Sequence, residues 1–251
     1  MLGGGFLIYM ANKFIKTLKD IFFPLNYTCD VCGAESFASN ICENCLKTVT
    51  FNNKVTCPIC GRKTVRPEIC LECKAQPPKY KRAVSPLVYD GGVIELIAKF
   101  KNGYGYLREY FSKLIAEKLA ELPKADCIIY VPATKKMQKF RGYNQTELVA
   151  KCLSKLIDTP VVLNAVIKVK QNSEQKGLSF KERQENVKGA FKVVKAEELK
   201  DKTVLVLDDV LTTGATADEM CKVTLAAGAK CVYVATIASV EYNNNTAPTF
   251  I

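Results

Sequence analysis

Residues 204–217, VLVLDDVLTTGATA, restrict the possible fold more than any other stretch: an unbroken apolar run ends in two carboxylates, then a turn of small and hydroxylated residues. The run Val204-Leu205-Val206-Leu207 lacks polar alternation, the pattern of a parallel strand covered on both faces. A βα turn should follow at the carboxyl edge of the sheet, where open α/β folds bind ligands. Asp208 and Asp209 are acceptor-only when ionised, which suits vicinal hydroxyls or a hydrated divalent cation. Leu211, Thr212, Thr213, Gly214, Ala215 and Thr216 then bring backbone N–H groups, hydroxyls and a permissive glycine to a predicted helix N-terminus, a setting that favours phosphate. The plainer alternative is an aspartate cap ahead of an ordinary helix starting near Ala215. Two acids, three threonines and the glycine fit the ligand reading together.

The flanking sequence alternates strand and helix. Strands are expected near 84–89 and 126–131, helices near 91–101, 106–121 and 145–157, short strands near 161–170 and 190–194, the motif strand at 203–209, a helix at 215–227 and a strand at 231–237. The expected class is α/β, a mostly parallel sheet with helices on both faces. The strand CIIYVP at 127–132 runs into Ala133, Thr134, Lys135 and Lys136, which places donors and cations at the same sheet edge as the aspartates. Arg141 offers a planar fork of donors beside Gly142, and RGYNQ at 141–145 reads equally as a turn and helix cap. The polar insertion 168–191 is read as a lid, with Gln175, Lys176, Arg183 and Asn186 as candidates for closing over a phosphate. A charged hairpin is its alternative.

A second constraint lies upstream. Eight of the twelve cysteines form four CxxC pairs, Cys29/Cys32, Cys42/Cys45, Cys57/Cys60 and Cys70/Cys73, and each cysteine of the first half recurs 28 positions later. The intervening sequence repeats too, TCDVCG with TCPICG and ICENC with ICLEC, so a unit has been duplicated in tandem. Each copy supplies four thiolates, enough for a closed tetrahedral zinc site with no position left for substrate. Sequential pairing puts Cys29, Cys32, Cys42 and Cys45 in one site and Cys57, Cys60, Cys70 and Cys73 in the other; an interleaved cross-brace uses the same residues. Such a short segment needs metal to fold, so both zinc ions are read as structural. Cys127, Cys152, Cys221 and Cys231 are expected to be core residues.

The proline-bearing linker QPPKYKR at 76–82 is the expected domain boundary. The resulting division is an N-terminal amphipathic helix over 1–23, a double zinc ribbon over 24–76, the α/β domain over 84–240 and a tail over 241–251. The opening MLGGGFLIYM is short, lacks a basic leader region and precedes the charged NKFIKTLKD, so neither export nor a membrane span is expected, and Met10 is an alternative start. Paired cysteines without a secretory signal point to a reducing, cytoplasmic setting. The formal net charge is +11, or about +7 once two four-thiolate zinc sites are counted. Residues 46–82 hold nine Lys or Arg against two acids and residues 135–195 hold fourteen against five. That clustering is the footprint of a phosphate-bearing partner, small or polymeric, or of a solvated lysine surface.

The segment LDDVLTTGAT resembles the phosphoribosyl-pyrophosphate (PRPP) motif of type I phosphoribosyltransferases. Taken with the duplicated CxxC ribbons, LVYDGGVIELIAKFKNG, RGYNQTELVAK and QKGLSFKERQENVKGAF, the chain resembles the ComF family from about Phe22 to Ala238. The resemblance implies a double zinc ribbon ahead of a type I phosphoribosyltransferase fold, in a cytoplasmic protein tied to competence and the uptake of transforming DNA, with single-stranded DNA and the competence machinery as partners. It also implies PRPP bound with magnesium: Asp208 and Asp209 at the ribose hydroxyls, Leu211 to Thr216 at the 5-phosphate, and Ala133, Thr134, Lys135 and Arg141 at the pyrophosphate. Relatives are usually arginine-rich where this chain has Lys168 and Lys170, and lysine keeps the charge without the bidentate fork. No histidine is available as a general base, and no acceptor pocket is readable. Three functions therefore stand side by side: a phosphoribosyltransferase of unassigned acceptor, a non-catalytic single-strand-binding module that retains a PRPP pocket, and a nucleobase salvage enzyme.

Overall fold

The computed structural model describes residues 27–29, 31–36, 41–53, 55–170 and 180–242. The expected helix over 1–23, the lid candidates Gln175 and Lys176, and the tail beyond Tyr242 lie outside the described residues. Two compact units divide between Thr48 and Val49. The second CxxC ribbon therefore belongs to the same unit as the sheet, and the 76–82 linker is interior to that unit.

The first unit pairs β1 (Tyr27–Thr28) with β2 (Glu35–Ser36) antiparallel and carries a short helix α1 (Glu43–Leu46). In the second unit, α2 (Leu71–Ala75) takes the place of α1 in the duplicated ribbon, and the sheet follows. Its strands are β3 (Ala83–Val84), β4 (Leu87–Val88), β5 (Cys127–Tyr130), β8 (Thr203–Leu211) and β9 (Cys231–Ser239). The order is β3-β9-β8-β5 with β4 also on β9, and every pairing is parallel. An antiparallel pair, β6 (Val166–Lys168) with β7 (Phe191–Val193), stands apart from it.

The apolar run of β8 is covered on both sides, as its composition requires. Val204 and Val206 join a buried cluster with Met220 and Cys221 of α8 (Ala215–Ala226). Leu205 lines a cavity with Ala116 of α4 (Leu107–Lys118) and Ile157 of α6 (Gln145–Ile157), on the other face. This period-two division is what a central parallel strand imposes. Cys127 and Cys221 are buried, whereas Cys152 and Cys231 are half-buried. The second ribbon's four cysteines lie in the same cluster as Tyr80, Ala83 and Leu211, so its metal site is part of the domain core.

Besides the short ribbon helices α1 and α2, two further helices were not expected from the sequence. Residues 135–141, read as a loop, form α5 (Lys135–Arg141), started by Thr134, whose hydroxyl accepts from Met137 N at 3.2 Å, and ended by Gly142 at φ 79°. A hydroxyl N-cap and a left-handed glycine C-cap bracket seven residues of ordinary helix propensity. Part of the lid segment is α7 (Phe180–Val187).

Candidate functional site

β8 outruns its neighbour. β5 pairs with Val204 to Leu207 and then leaves the sheet, while β9 stays paired with β8 as far as Leu211. The gap beyond Leu207 opens a cavity of about 420 Å³ at the carboxyl edge, and Asp208 and Asp209, still within β8, stand at its base. Crevices of this kind, where one strand departs, are the usual ligand sites of open α/β sheets.

The carboxylates are held locally before any ligand arrives. Asp208 Oδ1 accepts from Asp209 N at 2.8 Å, and Asp209 Oδ1 accepts from Val210 N at 2.7 Å. Lys101, at the end of α3 (Gly91–Lys101), places Nζ 2.5 Å from Asp209 Oδ2, with side chains 29% and 25% exposed. Burial and the adjacent Asp209 charge push the Asp208 carboxyl well above the usual range. Burial acts on Asp209 in the same sense, but the Lys101 ammonium outweighs it and holds that carboxyl low. Lys101 itself is raised because Asp209 overcomes the burial that opposes its charge. Lys168 also lines the cavity, and burial lowers it, with Asp208 partly offsetting the effect. The resting site thus has one ion pair and one carboxyl that resists ionisation.

Beyond the carboxylates the chain turns through Leu211, Thr212 and Gly214 into α8. Gly214 has φ 79°, a left-handed conformation that glycine adopts without strain. Leu211, Thr212, Gly214 and Thr216 line the large cavity. Thr213 and Ala215 line a smaller one of about 100 Å³ on the opposite side of the turn, and Thr213 Oγ1 accepts from Ala215 N at 3.4 Å.

The opposite wall comes from the β5–α6 connection. Ala133, Thr134 and Arg141 face the cavity, and Arg141 Nη1 lies 3.4 Å from Gln145 Oε1. Asn144 caps α6 by accepting from Thr146 N at 3.2 Å and also donates to the Val131 carbonyl at 3.1 Å. Gly142 and Asn144 therefore make the turn and the cap, which leaves the fork of Arg141 at the cavity. Lys135 opens α5; Arg183 and Asn186 fall within α7, whose last residue, Val187, lines the cavity. Lys101, Tyr89 and Phe191 also line it, and sequence reasoning assigned none of them to the site.

The cysteines settle into two sequential quartets, Cys29/Cys32/Cys42/Cys45 and Cys57/Cys60/Cys70/Cys73, with all sulfurs of a quartet within 4.8 Å of one another. This excludes the interleaved pairing. Cys32 and Cys42 are 3.8 Å apart, as are Cys60 and Cys70. A tetrahedron with metal–sulfur bonds of about 2.3 Å has edges of about 3.8 Å, so the donor sets fit zinc. Backbone N–H groups already solvate the sulfurs, Cys42 N on Cys29 Sγ at 3.3 Å and Cys70 N on Cys57 Sγ at 3.4 Å. Burial works to raise the Cys29 thiol, but the N–H groups of Cys32, Cys42 and Val31 bring it down to about 6. Hydrogen bonds from the other three thiols hold Cys57 far below the thiol range. The same networks push other thiols up, Cys45 by burial and Cys60 and Cys73 by their hydrogen bonds with Cys57, so each quartet holds protons that zinc has to displace.

A parallel sheet with a carboxylate pair and a phosphate-type turn at its edge, joined to a four-cysteine ribbon, defines a phosphoribosyl transferase domain with zinc ribbons. The phosphoribosyl transferase domain family matches residues 146–247 and the double zinc ribbon domain family matches residues 18–74. The chain is 37% identical over 130 residues to competence protein F of Haemophilus influenzae, covering 49% of this chain and 57% of that protein. It is 28% identical over 166 residues to the DNA utilization protein YhgH of Escherichia coli, covering 63% of this chain and 72% of that one. The chain thus carries a double zinc ribbon and a phosphoribosyl transferase domain and is homologous to competence protein F over part of its length. A glutamine PRPP amidotransferase from B. subtilis superposes on 53% of this chain and 26% of its own with a TM-score of 0.38 and 21% identity, a likeness too distant to carry an assignment. Among the described residues no helix is long and apolar enough to cross a membrane.

Proposed function

We propose that the large cavity binds PRPP and that the protein acts in the cytoplasm in the handling of transforming DNA. Asp208 and Asp209 hold the ribose hydroxyls, the Leu211–Thr216 turn holds the 5-phosphate, and Ala133, Thr134, Lys135 and Arg141 hold the pyrophosphate, with Gln175, Lys176, Arg183 and Asn186 as the lid candidates. The observation that carries this reading is the convergence of the carboxylate pair, the turn and the Arg141 fork on one cavity of about 420 Å³. Magnesium bound with PRPP supplies charge neutralisation at the leaving pyrophosphate. When the anomeric C–O bond breaks and pyrophosphate leaves with the electron pair, positive charge grows on the ribose, and an ionised Asp209 at the ribose hydroxyls would favour that charge. Because the chain has no histidine, the acceptor's proton passes to a carboxylate, a lysine or solvent.

The competence and DNA-utilization names belong to the relatives, and we extend them to this chain on the shared sequence. The basic surplus favours a second reading, in which the pocket binds PRPP without turnover and the surface holds single-stranded DNA. Calorimetry with PRPP and magnesium tests the pocket. Wild type should bind, and Asp208→Asn/Asp209→Asn should weaken binding at least tenfold, a loss of about 1.4 kcal/mol. Equal affinities would remove the assignment. Pyrophosphate release across candidate acceptors, measured beside the salt dependence of single-strand binding, separates the transferase from the binding module.

A further inference from the structure

The two ribbons share their cysteines and the glycine after the first pair, and two of the positions at which they differ bear on the site. The 28-residue offset sets Ala34 against Arg62 and Asn44 against Glu72. In the second ribbon this substituted pair forms a link between a buried Arg62 and a half-buried Glu72. Arg62 is 5% exposed; its Nε lies 3.3 Å from Cys60 Sγ and its Nη2 lies 3.7 Å from Cys70 Sγ and is also paired with the Glu72 carboxylate. The remaining arm, Nη1, reaches the Thr212 carbonyl at 3.4 Å, and the guanidinium sits 5.3 Å from the Tyr242 ring centroid. One side chain thus touches two sulfurs of a zinc quartet and the backbone of the phosphate-type turn.

The charge balance explains why an arginine tolerates this burial. Four thiolates around zinc carry a net −2, and Glu72 adds another negative charge, so a fixed cation is favoured there. Other contacts brace the same turn from the ribbon side. Tyr80 Oη stands 3.4 Å from where a side chain on Gly214 would begin, and Lys79 N donates to Asp218 Oδ1 in the first turn of α8 at 2.5 Å.

We infer that Arg62 is a positioning residue for the phosphate-binding turn and that the second zinc site, not the first, is coupled to phosphate affinity through it. A trans peptide points its C=O and N–H in opposite directions. Holding the Thr212 carbonyl toward the ribbon turns the Thr213 N–H away from it, toward the cavity side of the turn. The thiolates fix one end of the guanidinium, and the carbonyl reads its position at the other.

This inference rests on the proposed PRPP site, and the test separates the two. Zinc-loaded full-length wild type and Arg62→Lys are titrated with ribose 5-phosphate and, separately, with inorganic pyrophosphate, with zinc content measured on both proteins. Lysine keeps the charge beside the thiolates but cannot span both partners. The expected result is a rise of about tenfold in the ribose 5-phosphate dissociation constant, with pyrophosphate affinity unchanged within about twofold and two zinc ions retained. A merely destabilised fold would weaken both ligands together, and that result, or no change in either, overturns the inference. If Arg62→Lys sheds zinc, Glu72→Gln, which removes a partner of Arg62 and no metal ligand, should show the same one-sided loss at smaller size; an even loss or none again overturns it. A wild type that binds neither ligand removes the PRPP reading and the inference with it.

Discussion

Replacing Gly61 by alanine should cost far more than replacing Gly33, although the two hold the same place in the duplicated ribbon. Both are left-handed, with φ 67° and 76°. A side chain there strains the backbone by about 1 kcal/mol in either copy. At Gly33 a Cβ meets nothing within 4 Å among the described residues, whereas at Gly61 it would lie against the Ala83 carbonyl oxygen and 3.0 Å from its carbon. That carbonyl cannot retreat freely. Ala83 belongs to β3, is paired with Val234, and donates its N–H to the Ile59 carbonyl at 2.7 Å. The Gly61 carbonyl is itself held by Asn52 Nδ2 at 2.8 Å. Forcing the overlap adds about 1–3 kcal/mol, and loosening a buried hydrogen bond adds about 1 kcal/mol. We expect Gly33→Ala to lose about 1 kcal/mol and Gly61→Ala about 3–5 kcal/mol, a large share of a typical folding free energy. Urea unfolding of the zinc-loaded proteins measures this, with zinc release to a competing chelator as the local readout. If Gly61→Ala falls within about 1 kcal/mol of Gly33→Ala, the close packing of the second ribbon against β3 is refuted.

Asp208→Asn should stabilise the protein by about 1 kcal/mol near pH 8, because the raised Asp208 carboxyl favours the fold only while protonated and that advantage is lost as pH rises through its folded value. The gain should shrink toward about pH 5, and melting curves that show the same gain at both pH values would contradict the assignment. Lys101→Met should destabilise by about 1–3 kcal/mol, since it strands Asp209 beside Asp208. Asp209 is held low by Lys101, so wild-type stability from this pair is present above the ordinary carboxylate range and is lost as pH falls through the depressed value. The Lys101→Met deficit should therefore narrow in acid, and a pH-independent deficit in melting temperature would argue against the ion pair. Asn144→Ala removes the α6 cap and a donor to the Val131 carbonyl, for a loss of about 1–2 kcal/mol by denaturant titration; no loss would show that the cap is dispensable.

Much of the sheet is visible in one dimension because its strands are buried on both faces and leave unbroken apolar runs. The helix at 145–157 and the start of α8 at Ala215 fall where the pattern puts them. The helix over 135–141 was hidden because its caps, Thr134 and Gly142, read equally well as loop chemistry beside a phosphate. Asp208, Asp209, Thr134 and Arg141 could be brought together by sheet-edge logic alone. Lys101 could not: it ends a helix more than a hundred positions before Asp209, and only the packing of α3 over the carboxyl edge puts the two in contact.

Arg62 is a different case, since a signal for it was present. Comparing the duplicated units residue by residue marks Arg62 and Glu72 among five charged replacements for uncharged residues, with Arg66, Glu68 and Lys74, and of these Arg62 is the one whose side chain is buried. Read as equals, the ribbons look like one appendage before a linker. In the folded chain the compact units divide between the copies, at Thr48 and Val49, and the second copy's cysteines sit in the same core as Leu211 and Ala217. On the inference drawn for Arg62, metal binding by that copy and the geometry of the phosphate-type turn are coupled. Removing zinc from the second quartet should disturb the turn's backbone directly, because the side chain that holds the Thr212 carbonyl loses the thiolates that hold it.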